Sequence, residues 1–369
     1  MSSLDDLRTA GLYDPAAPDA AERGALLQYL LDQGMSVPEI RRADEEDQLI
    51  SAAALRQLRP GGPRTTMSEA ARAADVDAEL AQKVWRAVGF PEPRPNAREI
   101  TVRDVEMLRT VGSLAAFVGE SEALLLARKI GEAVTQIAEA EVALLRTEVE
   151  APLAAQSEWA AAARSYADIT GALFPAIADM IDTLHRHHIV AVAGRYAFGS
   201  TPSATNTVEL VVGFADLTGY TELAGRLGDR QLGRLLDVFE AVTGDLITAA
   251  GAQVVKRIGD EVMFVTRAPG VACALGLDLV DAVAARGLPP LCVGIAIGPV
   301  IVRQGDFHGP TVNLAARLVS AAGPGEVVTD GALRDRLARV ERFGFRPLGS
   351  LELAGFDDGV ESFRLSRRP

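Results

Sequence analysis

The sequence predicts two domains of different class: an all-α N-terminal half at residues 1–190 and an α/β C-terminal half at 207–369, joined by a linker at 191–206. Three observations predict this. A chain of 369 residues exceeds the comfortable size of one hydrophobic core. Residues 21–193 carry helical apolar periodicity and much alanine, with no catalytic-looking cluster. From residue 208 onward strand-like apolar runs alternate with helical ones: VELVVGF, QVVKRIGDEVMFV, LPPLCVGIAIGPVIVRQG and TVNLAARL.

Composition narrows the function classes. Hydrophobic residues make up 48% of the chain, which fits a globular protein rather than a disordered one. The formal net charge of −13 opposes a phosphate backbone, so no nucleic-acid partner is expected. No long uninterrupted apolar run occurs, and MSSLDDLRTAGLYD lacks a signal-peptide layout, so the expected compartment is the cytoplasm with no membrane partner. Cys273 and Cys292 lie in apolar runs without CxxC spacing and are expected to be small buried hydrophobes.

In the N-terminal half, Leu26, Leu27, Leu30 and Leu31 form one helical stripe, capped by Gly34. Ser36 is an N-cap, with Pro38 in the first turn of the next helix. LRPGGPR at 58–64 is a turn or linker. Residues 67–90 predict two short helices around a tight turn at Asp75, a pattern that resembles a helix-turn-helix. In that reading Gln82, Lys83 and Arg86 would face DNA; the interleaved acids Glu69, Asp75, Asp77 and Glu79 argue instead for a packed helical pair. FPEPRPN at 90–96 stops this unit. Residues 101–150 are helical almost throughout. There Leu126, Ile130, Ala133, Ile137, Ala140 and Leu144 follow a heptad-like seam, which suits either an internal bundle helix or a dimer contact. His185, His187 and His188 cluster in LHRHH. A metal tract lacks partner ligands at usable spacing; a solvated helix end and a pH-responsive hinge are the other readings.

The C-terminal half carries the chemistry. Strand 208–214 leads to Ala215-Asp216. A turn then follows, Leu217-Thr218-Gly219-Tyr220-Thr221, entering a helix whose first amides attract phosphate. QVVKRIGDEVMFV predicts a hairpin, strands 252–258 and 261–266 around Gly259-Asp260. If that hairpin pairs with the first strand, Asp216 and Asp260 lie together, as two carboxylates bracketing two divalent cations do in displacement at phosphorus. After a helix at 270–286, LPPLCVGIAIGPVIVRQG predicts two more strands, and DFHGPTVNLAARL turns into a helix. On it Asn313 and Arg317 stand four residues apart on one face, an amide and a guanidinium suited to a polyanionic transition state.

FADLTGYT, VVKRIGDEVMF, GDFHGPTVNLAARL and the closing GSLELAGFDDGVESFRL occur in order, and over residues 205–366 the chain resembles the catalytic domain of class III nucleotide cyclases. The resemblance implies a ferredoxin-like α/β catalytic domain active as a homodimer, with ATP as substrate and Mg²⁺ or Mn²⁺, two per site, as cofactor. It implies that Asp216 and Asp260 hold the metals, Lys256 and Asp306 select the purine, and Asn313 and Arg317 act on the transition state. The metal pair of one subunit would then meet the other four residues of its partner. Lys offers only donors and ionised Asp only acceptors, which match the N1 acceptor and 6-amino donor of adenine. Two positions depart from the pattern: Cys292 stands where related sequences often have Arg, and Ala354 where many have Lys.

The helical half and RYAFGSTPS resemble bacterial adenylate cyclases of the mycobacterial pH-regulated kind. That implies a regulatory, autoinhibitory domain, with His185, His187 and His188 as candidate pH-responsive groups. Two other functions compete with a cyclase: a catalytically weak cyclase-fold nucleotide sensor, and a DNA-binding regulator acting through residues 67–90.

Overall fold

The computed structural model describes residues 3–58, 63–94, 96–154, 158–195, 207–303 and 305–368. The chain divides into two compact units, Met1–Gly199 and Ser200–Pro369.

The first unit is helical: α1 (Leu4–Thr9), α2 (Ala20–Asp32), α3 (Val37–Glu45), α4 (Ala52–Leu58), α5 (Met67–Ala74), α6 (Ala78–Ala87), α7 (Val102–Val118), α8 (Glu120–Leu145), α9 (Ala151–Ala154) and α10 (Trp159–Arg195). A π-helical turn, Arg146–Glu150, joins α8 to α9. Leu26, Leu27 and Leu30 of α2 are buried with Leu7, Ile40 and Tyr166 in one core; Leu31 lies at its margin. Ser36 caps α3 through a reciprocal pair with Glu39, its hydroxyl donating at 2.7 Å. Asp75 adopts the left-handed conformation at φ 59° that the α5–α6 turn requires. Most of LRPGGPR falls on residues 59–62, outside the described residues.

The α5–α6 pair keeps its cations for itself. Lys83 sits 2.8 Å from both Glu79 and Glu120, and Arg86 is paired with Glu92. Neutralised side chains gain little from releasing counterions on DNA, so this pair has the electrostatics of packing rather than of duplex recognition.

Helix α8 corrects one expectation. Leu126, Ile130, Ala133, Ile137, Ala140 and Leu144 are all exposed, so the seam is not an internal bundle contact. The face that packs carries Ala123, Ala127 and Gly131. A Cβ at Gly131 would lie 2.7 Å from the Val88 backbone, so small residues set the close helix approach and the large ones are left outside. Helix α10 runs through His185, His187 and His188 to Arg195, so the histidines are exposed within a continuous helix rather than at its described end. The predicted linker starts at 191, yet 191–195 are helical; residues 196–206, with RYAFGSTPS mostly among them, lie outside the described residues.

The second unit contains β1 (Thr207–Leu217), α11 (Tyr220–Ala224), α12 (Asp229–Ala249), β2 (Gln253–Ile258), β3 (Glu261–Thr266), α13 (Pro269–Ala285), β4 (Leu291–Arg303), β5 (Asp306–His308), α14 (Pro310–Ala321), β6 (Val327–Asp330), α15 (Gly331–Arg336), β7 (Phe343–Leu353) and β8 (Phe356–Arg367). Its sheet order is β2-β3-β1-β4-β6-β8-β7, with β5 on β4. The run β1-α12-β2-β3-α13-β4 with spatial order 2-3-1-4 is the ferredoxin-like arrangement. One face is covered by α12 and α13, whose Phe239, Ile247 and Leu279 pack on Val211, Ala215 and Ile295. The other is covered by α14, with Leu318 against Val212, Phe214 and Met263.

Three local expectations change. Strand β1 extends through Asp216 to Leu217, which is 1% exposed in the core rather than part of a turn. Residues 291–303 form one strand where two were expected. Pro299 interrupts nothing because β1 flanks it on one side, while β6 pairing ends at Ile295 and β5 pairing begins at Ile301 on the other. The short strand β5 occupies Asp306–His308, where the sequence suggested only the approach to a helix. Both cysteines are buried as expected, and burial pushes the Cys273 thiol up to about 12.

Candidate active site

Strand pairing brings the two aspartates together. The β2–β3 hairpin packs antiparallel on β1 with Asp216 opposite Glu261, one residue past Asp260. The Leu217 amide donates to the Asp260 carbonyl at 3.3 Å, fixing the hairpin turn beside the end of β1. Burial, then the charges of Asp260 and Glu261 and a hydrogen bond with Asp260, push the Asp216 carboxyl up to about 7. Burial also raises Asp260, though its own backbone and the Asp216 bond pull the other way. Two acids crowded into one half-buried corner resist full ionisation, and a divalent cation relieves the same repulsion. The donor set fits Mg²⁺ or Mn²⁺: hard carboxylate oxygens, few in number, with the remaining positions left to water and substrate phosphate. No cluster of three or more ligating side chains is found among the described residues, as such a site requires none.

Sequence reasoning overlooked Glu261. It is half-buried, faces Asp216 directly across the ladder, and adds to the negative field there. Aligning the predicted hairpin with β1 residue by residue would have revealed it.

The turn after β1 is narrower than expected. Leu217 is in the strand, and the Thr218 amide is taken by the Pro290 carbonyl at 2.8 Å. Gly219, at φ +76°, turns the chain into α11, so Gly219, Tyr220 and Thr221 begin that helix.

Lys256 and Asp306 meet although they lie on β2 and β5. The Lys256 Nζ is 3.2 and 3.1 Å from the two Asp306 oxygens. Burial raises the Asp306 carboxyl. The Phe307 amide, then the Lys256 hydrogen bond and charge, outweigh it and hold the group below its ordinary range. Asp306 is thus an acceptor and Lys256 a donor, in a fixed mutual arrangement.

Asn313 and Arg317 project from the exposed face of α14. Neither side chain has a hydrogen-bond or ion-pair partner among the described residues, so both are free for a ligand. The buried face of α14 sits hard against β4: a Cβ on Gly294 would lie 2.3 Å from the Val319 nitrogen and 2.4 Å from the Ala315 oxygen. Thr311 ties the start of the same helix to the Pro299 carbonyl at 2.8 Å. Asp216, Glu261 and Cys292 are direct cross-strand neighbours, so they share one sheet face. Cys292 belongs to the core under α14, which places that face on the α14 side. Ala354, by contrast, is exposed between β7 and β8.

Comparison with known proteins agrees with this geometry on both units. Residues 5–189 match the family described as adenylate cyclase regulatory domain, and residues 203–367 match the adenylate and guanylate cyclase catalytic domain. The chain belongs to the adenylate cyclases. A similar adenylate cyclase of Glutamicibacter nicotianae is 31% identical over 99% of this chain and 94% of its own length. A pH-sensitive adenylate cyclase of Mycobacterium tuberculosis is 30% identical, covering 99% and 92%. An uncharacterised protein of the same species is 35% identical, covering 99% and 95%. The two units of this adenylate cyclase thus follow the order of a helical regulatory domain and a catalytic sheet. No helix among the described residues is long and apolar enough to cross a membrane.

Proposed function

We propose that this adenylate cyclase converts ATP to 3′,5′-cyclic AMP and pyrophosphate at two sites shared across a homodimer, under the control of its helical unit. The convergence of the Asp216 and Asp260 carboxyls at one end of the paired strands β1 and β3 carries the reading. These two would hold Mg²⁺ or Mn²⁺, which when bound activates the ribose 3′-hydroxyl and neutralises the triphosphate. Lys256 donates to adenine N1 while Asp306 accepts from the 6-amino group, the polarity that their ion pair already displays. Arg317 stabilises charge that develops on the α-phosphate, and Asn313 orients the ribose. Both are exposed, so a second copy can present them to a neighbour's metal pair. The exposed apolar seam of α8 supplies surface for association of two helical units.

Regulation by pH is part of the same proposal. A pH-sensitive relative shares the whole layout, and three imidazoles stand exposed on α10. Replacing His185, His187 and His188 together by Gln should flatten the pH–activity curve; an unchanged curve removes these groups from the mechanism.

The catalytic reading is tested by incubating the full chain with Mn²⁺ and ATP and resolving the products. Cyclic AMP and pyrophosphate in equal amounts are expected, with loss of at least about 100-fold in Asp216→Ala and Asp260→Ala. Folded variants that keep their turnover would overturn the assignment.

A further inference from the structure

Cys292 joins two parts of the site that the chain brings from far apart. It lies directly opposite Asp216 on β4 and is 8% exposed. Its sulfur is 3.2 Å from the Thr218 hydroxyl oxygen and 3.3 Å from the carbonyl oxygens of both Ala322 and Gly323. A thiol has one proton, and two carbonyls face it. The Thr218 hydroxyl therefore donates to the sulfur rather than accepting from it. With its amide already given to Pro290, Thr218 is held through both backbone and side chain. Ala322 is the C-cap of α14, the helix of Asn313 and Arg317. One sulfur thus links the turn after Asp216 to the end of that helix.

A cysteine that merely filled space would not need this arrangement. An apolar residue of similar size would leave the Thr218 hydroxyl without its acceptor, half-buried at the entrance to α11. The sulfur's polar contacts are all internal, so it anchors the turn and does not itself reach for phosphate.

We propose that Cys292 is a positioning residue for nucleotide binding, acting through Thr218 to fix the turn at 218–221 where the metal-bound triphosphate is received. The inference rests on the site reading above. Its expected signature is a change in KM with kcat nearly intact, because a turn that grips phosphate in ground and transition states alike contributes uniform binding.

The test is a double-mutant cycle on the full chain with Mn²⁺-ATP, accompanied by thermal melts. Cys292→Ala and Thr218→Val should each raise KM about 3- to 10-fold, the range of one lost hydrogen bond, with kcat within about twofold. The double variant should be no worse than the poorer single one. Cys292→Ser, which keeps a donor and an acceptor, should recover most of the loss. Should Cys292→Ala not fold, the same cycle run with Cys292→Val, which removes the acceptor but fills the strand position, and Thr218→Val still decides: coupled losses support the link. Additive losses, a fall in kcat at constant KM, or a lowered melting temperature with unchanged KM would each overturn it. A wild-type chain that makes no cyclic AMP sinks the site reading itself, whereas an active wild type with additive variants sinks this inference alone.

Discussion

Replacing Gly294 by Ala adds one methyl group at the point where β4 meets α14. That methyl would stand 2.3 Å from the Val319 nitrogen, 2.4 Å from the Ala315 oxygen and 2.8 Å from the Leu318 carbonyl carbon. All three are backbone atoms, so no side chain can rotate aside. Ordinary contact needs roughly 3.5 Å or more, and the helix must therefore retreat by about 1 Å. Asn313 and Arg317 ride on that helix and move with it. Displacement of about 1 Å in groups that position reacting atoms costs about 100-fold in turnover. The added volume costs about 1–3 kcal/mol of stability, which a domain of this size survives. The assay is steady-state cyclic AMP formation, with circular dichroism and a thermal melt as controls for folding. Loss of about 100-fold in kcat with a folded, modestly destabilised protein is expected. A Gly294→Ala variant within threefold of wild-type turnover would refute the idea that the seating of α14 on β4 sets the reaction geometry.

Other perturbations bear on the same geometry. Lys256→Ala should cut kcat/KM for ATP by about 10- to 100-fold and narrow the preference for ATP over GTP, because Asp306 then lacks its partner for reading the purine edge; paired ATP and GTP assays check it. Because burial and neighbouring charge push Asp216 up to about 7, protons compete with cations below that pH. Apparent Mn²⁺ affinity, followed by titration calorimetry on the nucleotide-free protein, should weaken about tenfold per pH unit below 7 and level off above it. Asp330 is 4% exposed, and burial pushes its carboxyl up to about 6 against the Leu333 and Ile297 amides that favour the charge. The folded state then binds the proton more tightly than the unfolded one. Stability from this group is full below about pH 4 and is lost as pH rises through 6. Measured against Asp330→Asn by urea unfolding, wild type should gain about 2 kcal/mol between pH 7 and pH 4.

Local chemistry that acts within a few residues was legible in the sequence. The Ser36 cap, the tight turn near Asp75, the β2–β3 hairpin and the i,i+4 pair on α14 each depend on near neighbours, and each forms as expected. The strand-end position of Asp216 was legible too, because a buried apolar run pointed to it. Features set by distant neighbours were harder. Pro299 is tolerated in a long strand only because of what does not pair beside it. The seam on α8 has the spacing of a core stripe, yet the close approach at Ala123, Ala127 and Gly131 turns it outward. Glu261 and the Thr218–Cys292 contact required the register of three strands, which no single segment specifies.

Sharing of sites between two copies is open to one decisive mixing experiment. Asp216→Ala removes the metal pair and leaves Lys256; Lys256→Ala does the reverse. Neither homodimer has a complete site, but a mixed dimer has one. Random exchange of equal amounts should restore about one quarter of wild-type activity, since half the dimers are mixed and each carries one intact site of two. A mixture that stays inactive, although both variants fold and exchange subunits, would contradict the shared site.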